Sequence, residues 1–506
     1  MQQSHETVRL DPIETFRKRE ADWRNGALVY QVLVDRFAPS KHLDQKRALY
    51  APPRSLMPWN EVPLAGSFVP EAKYWSHELA FWGGDLESLT ERLDYIQSLG
   101  TDVLYLNPIC LSLSNHKYDA TDYAKISPEY GTRKDLKRLI EELHRRGMKL
   151  MLDGVFNHVG VNNPLFLAAK DSSHPKRSWF DFKEEYPEGV RLWADVKSLP
   201  ELNLEQDEVK DYLFRKPDSI IRSYLREGVD GWRLDVAFDI GFSILAELTA
   251  AAHAEKPGSM IVGEIWNYPE QWLKSIDGVM NFTLREIILR TIRRDIAPAT
   301  AGRMIESMIE DAGIEAILKS WIVLDNHDVP RLNFQLPDPF DQALALALQF
   351  TLPGSPNLYY GTELGMEGGQ DPANRAPMRW DLYNEQNPVL RQTLHWTRLH
   401  KAERALRIGD YIPAIGDRLL AFERRTDRVE ETILVLINPT DGEIREHVLF
   451  KDSKLMNYSA FEIVAGSVSN LHFMAGLLDA TVPAKSYAVL KPVVKASKSY
   501  TPYKRV

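Results

Sequence analysis

The sequence predicts an α/β fold in which a (β/α)8 TIM barrel carries an inserted loop domain after its third strand and a C-terminal antiparallel β-sandwich. Eight short apolar runs alternate with helical segments from residue 27 to residue 406. A polar segment dotted with aromatic residues interrupts this alternation after the third run. Beyond Arg407 the apolar segments become short and alternating, which is typical of antiparallel strands. A doubly wound sheet is the alternative, but the chain contains neither GxGxxG nor a P-loop.

Each predicted barrel strand is a short apolar run bounded by turn residues. The first run reads ALVYQVLVDRF, and the fourth, GVDGWRLDV, ends in an arginine and an aspartate two residues apart. The eight predicted strands cover residues 27–37, 102–109, 149–156, 228–236, 260–264, 277–281, 321–324 and 357–360.

The helices between these strands are predicted from apolar stripes that follow capping residues. Asp85 is expected to cap the first barrel helix, and Thr132 with Asp135 forms a box-like start for the second. The third is expected to be interrupted near Pro217. These predicted helices occupy residues 85–100, 132–147 and 207–227.

The same patterns predict a division of the chain into four parts. Residues 1–26 form a polar, helical lead-in, and residues 27–154 together with 207–406 form the barrel. Residues 155–206 form the inserted domain, because loops of such length in a compact protein are usually functional. Residues 407–506 form the C-terminal β-sandwich.

Composition excludes several classes of function. The net charge is −9, from 62 basic and 71 acidic residues, and this argues against nucleic-acid binding. Cys110 is the only cysteine, so an intrachain disulfide and a cysteine metal cluster are both excluded. No apolar run is long enough to span a bilayer, so we expect a cytoplasmic protein without a membrane partner, although a trimmed secretion signal would leave the same pattern. The sequence leaves the oligomeric state open.

Polar side chains gather where the predicted strands end. In a barrel of this type the active site lies at the carboxyl ends of the strands, so these side chains are expected to face one cavity. Two carboxyl groups, one ionised and one protonated, are what glycoside hydrolysis requires. Metal binding uses similar residues, but no HExxH helix is present and the surrounding aromatic residues suit a sugar. The strand-end residues are Asp153, Asn157, His158, Arg233, Asp235, Glu264, Asn326, His327 and Asp328.

Arg233 and Asp235 point the same way on a strand, because successive side chains alternate. We expect the arginine to keep Asp235 ionised, as a nucleophile must be. A buried structural ion pair is an equally good interpretation of these two residues alone.

Four blocks of the sequence resemble the four conserved regions of the α-amylase family, glycoside hydrolase family 13. Supporting matches are FWGGDLESL, HKYDATDY, LPELN and GGQDPANRAPMRW, and all occur in the family's order from about Ala27 to the C-terminus. The four blocks are DGVFNH at 153–158, GWRLD at 231–235, GEIW at 263–266 and DNHD at 325–328.

The resemblance implies a retaining mechanism. Asp235 matches the nucleophile, Glu264 matches the general acid and base, and Asp328 matches the carboxylate that binds and distorts the sugar. An apolar neighbour such as Trp266 is expected to help keep Glu264 protonated.

The resemblance also implies a set of substrate-binding residues. Tyr118 matches a stacking platform, His158 and His327 match residues that bind sugar hydroxyls, and Trp266 matches an acceptor-side wall. Asp371 and Arg375 match donor-side contacts, with a surface ion pair as the alternative. The predicted substrate-binding residues are Tyr118, His158, Arg233, Trp266, His327, Asp371 and Arg375.

Within the family, the motifs look most like the cyclomaltodextrinase, neopullulanase and maltogenic amylase group. That likeness implies cleavage of α-1,4 and also α-1,6 bonds in malto-oligosaccharides, cyclodextrins or pullulan, together with transglycosylation. The chain departs from the group in LPELN, in Phe238 and Asp239, and in starting its barrel almost at once.

Two other members of the same barrel family remain as alternatives. One is an oligo-1,6-glucosidase or α-glucosidase, or a transferase acting on sucrose or trehalose, which shares the three carboxylates. The other is a non-catalytic barrel associated with a transporter, which the complete set Asp235, Glu264 and Asp328 argues against.

No cofactor or metal is predicted to be required. Many amylases carry a calcium site after the first strand, but here that stretch reads DRFAPSKHLDQ and offers few oxygen ligands.

Overall fold

The computed structural model of the protein describes residues 12–451 and 453–493. Residues 1–11 of the predicted lead-in and residues 494–506 of the predicted C-terminal domain lie outside the described residues. Eight parallel strands close into a barrel in which every strand pairs with its neighbours in sequence. Val29 closes the ring by pairing with Val103 on one side and Asn357 on the other. The barrel strands are β1 Val29–Val32, β2 Val103–Leu106, β3 Lys149–Gly154, β4 Gly231–Leu234, β5 Met260–Ile265, β6 Gly278–Asn281, β7 Trp321–Val323 and β8 Ser355–Tyr359.

The barrel interior is filled by large apolar side chains from alternate strand positions. Tyr105 and Trp321 pack against each other there, with ring centroids 5.1 Å apart. These side chains fill the interior of the barrel. The buried interior residues are Ala27, Val29, Val103, Tyr105, Met151, Met260, Val262, Met280, Phe282, Trp321 and Val323.

Helices surround this barrel and follow its strands. Pro12–Ala21 precedes β1, and Asp85 and Thr132 cap their helices as predicted, each accepting a hydrogen bond from the third helical residue. The helices between the strands and after β8 are Leu86–Thr90, Leu93–Ser98, Arg133–Arg145, Asp207–Lys210, Ile220–Arg226, Ala237–Ile240, Phe242–Glu255, Phe282–Ile292, Pro298–Ala312, Ile314–Ile317, Leu332–Gln335, Pro339–Thr351, Pro388–Ala402 and Arg404–Ile408.

Three elements differ from their prediction. The first strand is only four residues long, because Val34–Phe37 turns into a single helical turn. The helix predicted at 85–100 is two short helices, and the Thr90 hydroxyl donates to the Leu86 carbonyl where the first one ends. Between β5 and β6 the chain forms only the short 3₁₀ turn Trp272–Lys274.

Two irregular segments stand over the carboxyl ends of the strands. The segment after β1 holds the short strand pairs Ser55–Leu56 with Ala80–Phe81 and Phe68–Val69 with Tyr74–Trp75. The segment after β3 holds the helix Pro164–Ala169 and returns to the barrel through a bridge between His158 and Glu201. Both segments therefore bring side chains to the same mouth of the barrel.

The C-terminal part consists of two antiparallel sheets that share a buried apolar core, as predicted for a sandwich. One sheet has the order β9-β10-β11-β16-β13 and the other β12-β15-β14. Their strands are β9 Asp410–Pro413, β10 Leu420–Arg425, β11 Ile433–Asn438, β12 Ile444–Leu449, β13 Phe461–Gly466, β14 Ser469–Met474, β15 Leu477–Val482 and β16 Ser486–Pro492.

None of the helices in the described ranges is both long and apolar enough to cross a bilayer.

Candidate active site

A cleft of about 440 Å³ opens at the carboxyl ends of the barrel strands. It brings together the three carboxylates Asp235, directly after β4, Glu264 in β5 and Asp328 in the loop after β7. Side chains from both irregular segments complete its walls. The lining residues are Glu78, His116, Tyr118, His158, Trp193, Val196, Leu199, Asp235, Val236, Phe238, Glu264, Trp266, Asp328, Asp371 and Arg375.

Arg233 lies beneath this cleft and is fully buried. Its Nη1 donates to Asp153 at 2.8 Å and to Asp235 at 2.9 Å. Its Nη2 donates to Glu264 at 2.7 Å, and its Nε contacts the sulfur of Met280 at 3.4 Å. The predicted pairing with Asp235 is present, but one guanidinium serves three carboxylates. In this position Arg233 orients the carboxylates from below, and it has no free nitrogen for a ligand.

Burial raises the pKa of Asp235 well above its usual value, and the neighbouring charges of Glu264 and Asp153 raise it further. Arg233 opposes this effect without overcoming it. The upward direction has a simple cause, because three carboxylates share a single cation in a buried site. That Arg233 keeps Asp235 ionised stays a prediction.

Both oxygens of Glu264 accept hydrogen bonds. Oε2 accepts from Arg233 and from the backbone N–H of Val236 at 3.0 Å, while Oε1 accepts from the indole Nε1 of Trp266 at 2.8 Å. Trp266 thus meets Glu264 through a polar atom, whereas the sequence predicted an apolar contact. The Trp266 ring stacks on Phe282 at a centroid distance of 3.7 Å and remains 43% exposed toward the cleft.

Asp328 lines the cleft from the loop after β7, in a turn stabilised by its own neighbours. Its backbone N–H donates to Asn326 at 2.8 Å, and one carboxylate oxygen lies 3.4 Å from Arg375. Burial raises the pKa of this carboxyl, and the arginines oppose the change. Arg375 also lies 3.2 Å from Asp371, so the predicted donor-side pair is an ion pair at the rim.

His327 lies below the cleft floor and is 1% exposed. Its Nδ1 is 2.9 Å from the Gln31 amide, and its Nε2 is 2.5 Å from the hydroxyl of Tyr118 and 3.2 Å from Asp328. Burial and the nearby arginines lower the pKa of His327 well below its usual value, so the ring is neutral. The Tyr118 hydroxyl also donates to Asp153 at 2.9 Å, which fixes the ring of the predicted platform.

His158 reaches the cleft from the segment that follows β3. Burial lowers its pKa to about 3, so the imidazole is neutral at working pH. Neither ring nitrogen has a well-oriented hydrogen-bond partner among the described residues. The ring stacks against Trp193 of the inserted segment at 5.3 Å, and the Trp193 indole donates to Asp239 at 3.0 Å.

Sequence reasoning missed three polar or aromatic residues that line the cleft, Trp193, Glu78 and His116. Trp193 lies in the inserted segment, where no periodicity marks it, and only the fold shows that it closes one side. Glu78 and His116 form a rim pair 3.4 Å apart. His116 belongs to the HKYDATDY block, whereas Glu78 lies in the irregular segment after β1 and belongs to none of the blocks that resemble the family.

A metal centre is not apparent near this cleft or elsewhere in the chain as far as it is described, since no three His, Cys, Asp or Glu side chains converge as ligands. In the loop after β1, both oxygens of Asp35 already accept backbone N–H groups from Trp82, and one also accepts from Gly83. The prediction that no metal or cofactor is required stays a prediction.

The chain is similar in sequence and in fold to known proteins. The family model named Alpha-amylase, catalytic domain, matches residues 31–408. A cyclomaltodextrinase from Bacillus sp is 31% identical over 444 residues, which cover 85% of this chain and 75% of that protein. Neopullulanase 2 from Thermoactinomyces vulgaris is 34% identical over 387 residues, 72% of this chain and 61% of that protein. The solved debranching enzyme of Nostoc punctiforme matches with a TM-score of 0.78 and 28% identity, over 93% of this chain and 99% of that one.

Proposed function

Because the chain belongs to the alpha-amylase family of glycoside hydrolases, we propose that it hydrolyses α-glucosidic bonds in malto-oligosaccharides, cyclodextrins or pullulan by a retaining mechanism. The observation that carries the proposal is the convergence of Asp235, Glu264 and Asp328 on one cleft above Arg233. Asp235 and Glu264 contact neighbouring nitrogens of one guanidinium. This short span favours the closer carboxyl spacing that retaining enzymes use, about 5–5.5 Å.

In the first step Asp235 attacks the anomeric carbon while Glu264 delivers a proton to the departing glycosidic oxygen. The carbon–oxygen bond to the leaving sugar breaks as the bond to the Asp235 carboxylate forms. In the second step Glu264 takes a proton from water, whose oxygen displaces Asp235 from the same carbon. Asp328 does not react; it holds the ring hydroxyls at the cleavage position.

The neutral histidines fit the recognition of sugar hydroxyls. His158 offers one donor and one acceptor nitrogen beside the cleft. Because both nitrogens are buried without a partner, a hydrogen bond to a sugar hydroxyl would stabilise the complex. His327 acts through Tyr118 and Asp328, because both of its nitrogens already face polar atoms of the protein.

One specific observation favours an accompanying activity, the transfer of the glycosyl group to a second sugar. Trp193, Phe238 and Trp266 all line the cleft with aromatic side chains, and Phe238 is 37% exposed. Sugars stack on such faces, so an acceptor sugar competes with water for the glycosyl intermediate. The sequence departures are also found here, since Phe238 is one of these aromatic residues and Asp239 accepts the hydrogen bond from the Trp193 indole.

The test is product analysis after incubation with γ-cyclodextrin, pullulan, maltotriose, panose, sucrose and starch. Wild type is compared with Asp235→Asn and Glu264→Gln, and Asp171→Asn, an exposed site in the inserted segment, serves as the matched control. We expect ring opening of cyclodextrin or release of panose from pullulan by wild type and control only.

Activity restricted to sucrose, or to glucose release from chain ends, would replace this function by the glucosidase or transferase alternative. Full turnover by Asp235→Asn would overturn the nucleophile assignment. No turnover of any substrate by wild type would favour a non-catalytic role.

A further inference from the structure

A second and larger cleft, of about 680 Å³, lies beside the catalytic one. Its walls come from the irregular segment after β1 and from the loop after β8. Arg375 lines the catalytic cleft and Ala376, the next residue, lines the second one, so the two clefts share a rim. The lining residues are Trp59, Asn60, Glu61, Val62, Gly365, Met366, Glu367, Ala376, Pro377, Arg379, Asp381 and Leu382.

Hydrogen bonds fix one wall of this cleft before any ligand arrives. The indole Nε1 of Trp59 donates to the Met378 carbonyl at 3.1 Å, which ties the ring to the opposite segment. The indole Nε1 of Trp82 donates to the Glu61 carbonyl at 2.9 Å, and the Arg36 guanidinium lies 3.9 Å from the Trp82 ring. A preorganised wall loses little entropy on binding.

The polar groups of the cleft suit a neutral, hydroxyl-rich ligand. In the described part of the chain, the carboxylates of Glu61 and Glu367 take part in no hydrogen bond or ion pair. Arg379 and Asp381 form a bidentate pair, with contacts of 2.7 and 2.5 Å, at more than half exposure. This planar pair presents donors and acceptors side by side, as neighbouring sugar hydroxyls require. The excess of carboxylates disfavours an anionic ligand.

We propose that this cleft is an accessory binding site for a short segment of a neutral α-glucan chain, with Trp59 as its stacking wall. The proposal rests on the proposed function for the choice of glucan. The volume lies within the range of about 300–1,000 Å³ that is common for small-ligand pockets. A site that shares a rim with the catalytic cleft holds long chains near the reacting bond while leaving short substrates unaffected.

The test separates binding from turnover. In the Asp235→Asn background, mobility in native gels containing soluble starch is measured for Trp59→Ala and Arg379→Ala. Trp75→Ala is the matched control, because Trp75 lies in the same irregular segment at 48% exposure and lines neither cleft. We expect starch affinity to fall roughly tenfold for Trp59→Ala, the scale of one lost aromatic contact, and to stay unchanged in the control.

Kinetics with an intact nucleophile form the second arm. Trp59→Ala and Arg379→Ala should lower kcat/KM on starch several-fold and leave kcat/KM on maltotriose unchanged. Unchanged starch affinity in both variants would overturn the proposal, even if starch turnover persisted. Starch affinity that falls in Trp59→Ala, in a protein whose wild type turns over none of the substrates, would support the cleft while refuting the proposed function. If Trp59→Ala does not fold, Arg379→Ala at its exposed position decides alone.

Discussion

Replacing Asp153 by Asn should move the acid limb of the pH–activity profile to lower pH. Asp153 is buried under the cleft and accepts from Arg233 at 2.8 Å, from Tyr105 at 2.6 Å and from Tyr118 at 2.9 Å. In the strand register Arg233 stands opposite Asp153. The amide retains an oxygen for Arg233 and removes one of the negative charges that raise the pKa of Asp235.

The magnitude follows from the shared guanidinium. Oxygens of Asp153 and Asp235 lie 2.8 and 2.9 Å from the same Nη1, so they are separated by roughly 5 Å. Two charges at that separation repel by about 3 kcal/mol at an effective dielectric constant of about 20. This corresponds to about two pH units, and partial protonation of the cluster reduces it to one or two.

The assay is kcat/KM on a soluble chromogenic malto-oligosaccharide from about pH 3 to pH 9, because its acid limb reports the group that must be ionised in the free enzyme. Tyr105→Phe is the control, since it removes a hydroxyl from Asp153 and leaves every charge in place. An acid limb that stays in place or moves upward in Asp153→Asn would refute the view that like charges set the pKa of Asp235.

Three further outcomes are expected. Trp193→Phe keeps an aromatic ring against His158 and loses the hydrogen bond to Asp239, so KM for maltotriose should rise about twofold. Trp193→Ala removes the ring as well, so KM should rise about tenfold. Equal KM values in the two variants would refute separate contributions of the stacking and the hydrogen bond. Dialysis against EDTA should leave activity unchanged, and a loss restored by calcium would contradict this. Lys117→Met should lower the free energy of unfolding in guanidinium by about 3 kcal/mol, because buried Glu129 then keeps only Arg54, at 3.5 Å, as a cationic partner. Glu129→Leu should restore most of this loss, and no recovery in the double variant would argue against an undercompensated buried charge.

The barrel was predictable because its signals are local. Each strand is a buried apolar run, and each cap depends on two or three neighbouring residues, as at Thr132 and Asp135. All eight strands and the antiparallel sheets after Arg407 were recovered in this way. The break in the helix after Asp85 was missed, because the apolar stripe continues through it. The hydrogen bond from the Thr90 hydroxyl to the Leu86 carbonyl also leaves no pattern in the sequence.

The candidate site was predictable as a set of residues but not as an electrostatic unit. Spacing along β4 shows that Arg233 and Asp235 share a side, yet it cannot show which residues face Arg233 from β3 and β5. Strand pairing supplies Asp153 and Glu264 as the other two partners. A pair that looks complete in the sequence is therefore, in the fold, part of a cluster in which three carboxylates share the Arg233 guanidinium.

The backbone after Asp235 shows why such a site needs the whole barrel to hold it. Val236 adopts the left-handed conformation, with φ 39° and ψ 47°, although a β-branched residue is strained there. Such strain costs on the order of 1–3 kcal/mol and persists only where surrounding contacts enforce it. In return the Val236 N–H donates to Oε2 of Glu264, so the turn that follows β4 also positions the Glu264 carboxylate. The relative placement of Asp235 and Glu264 is thus built into a single backbone turn, and their separation depends less on side-chain freedom than on the register between β4 and β5.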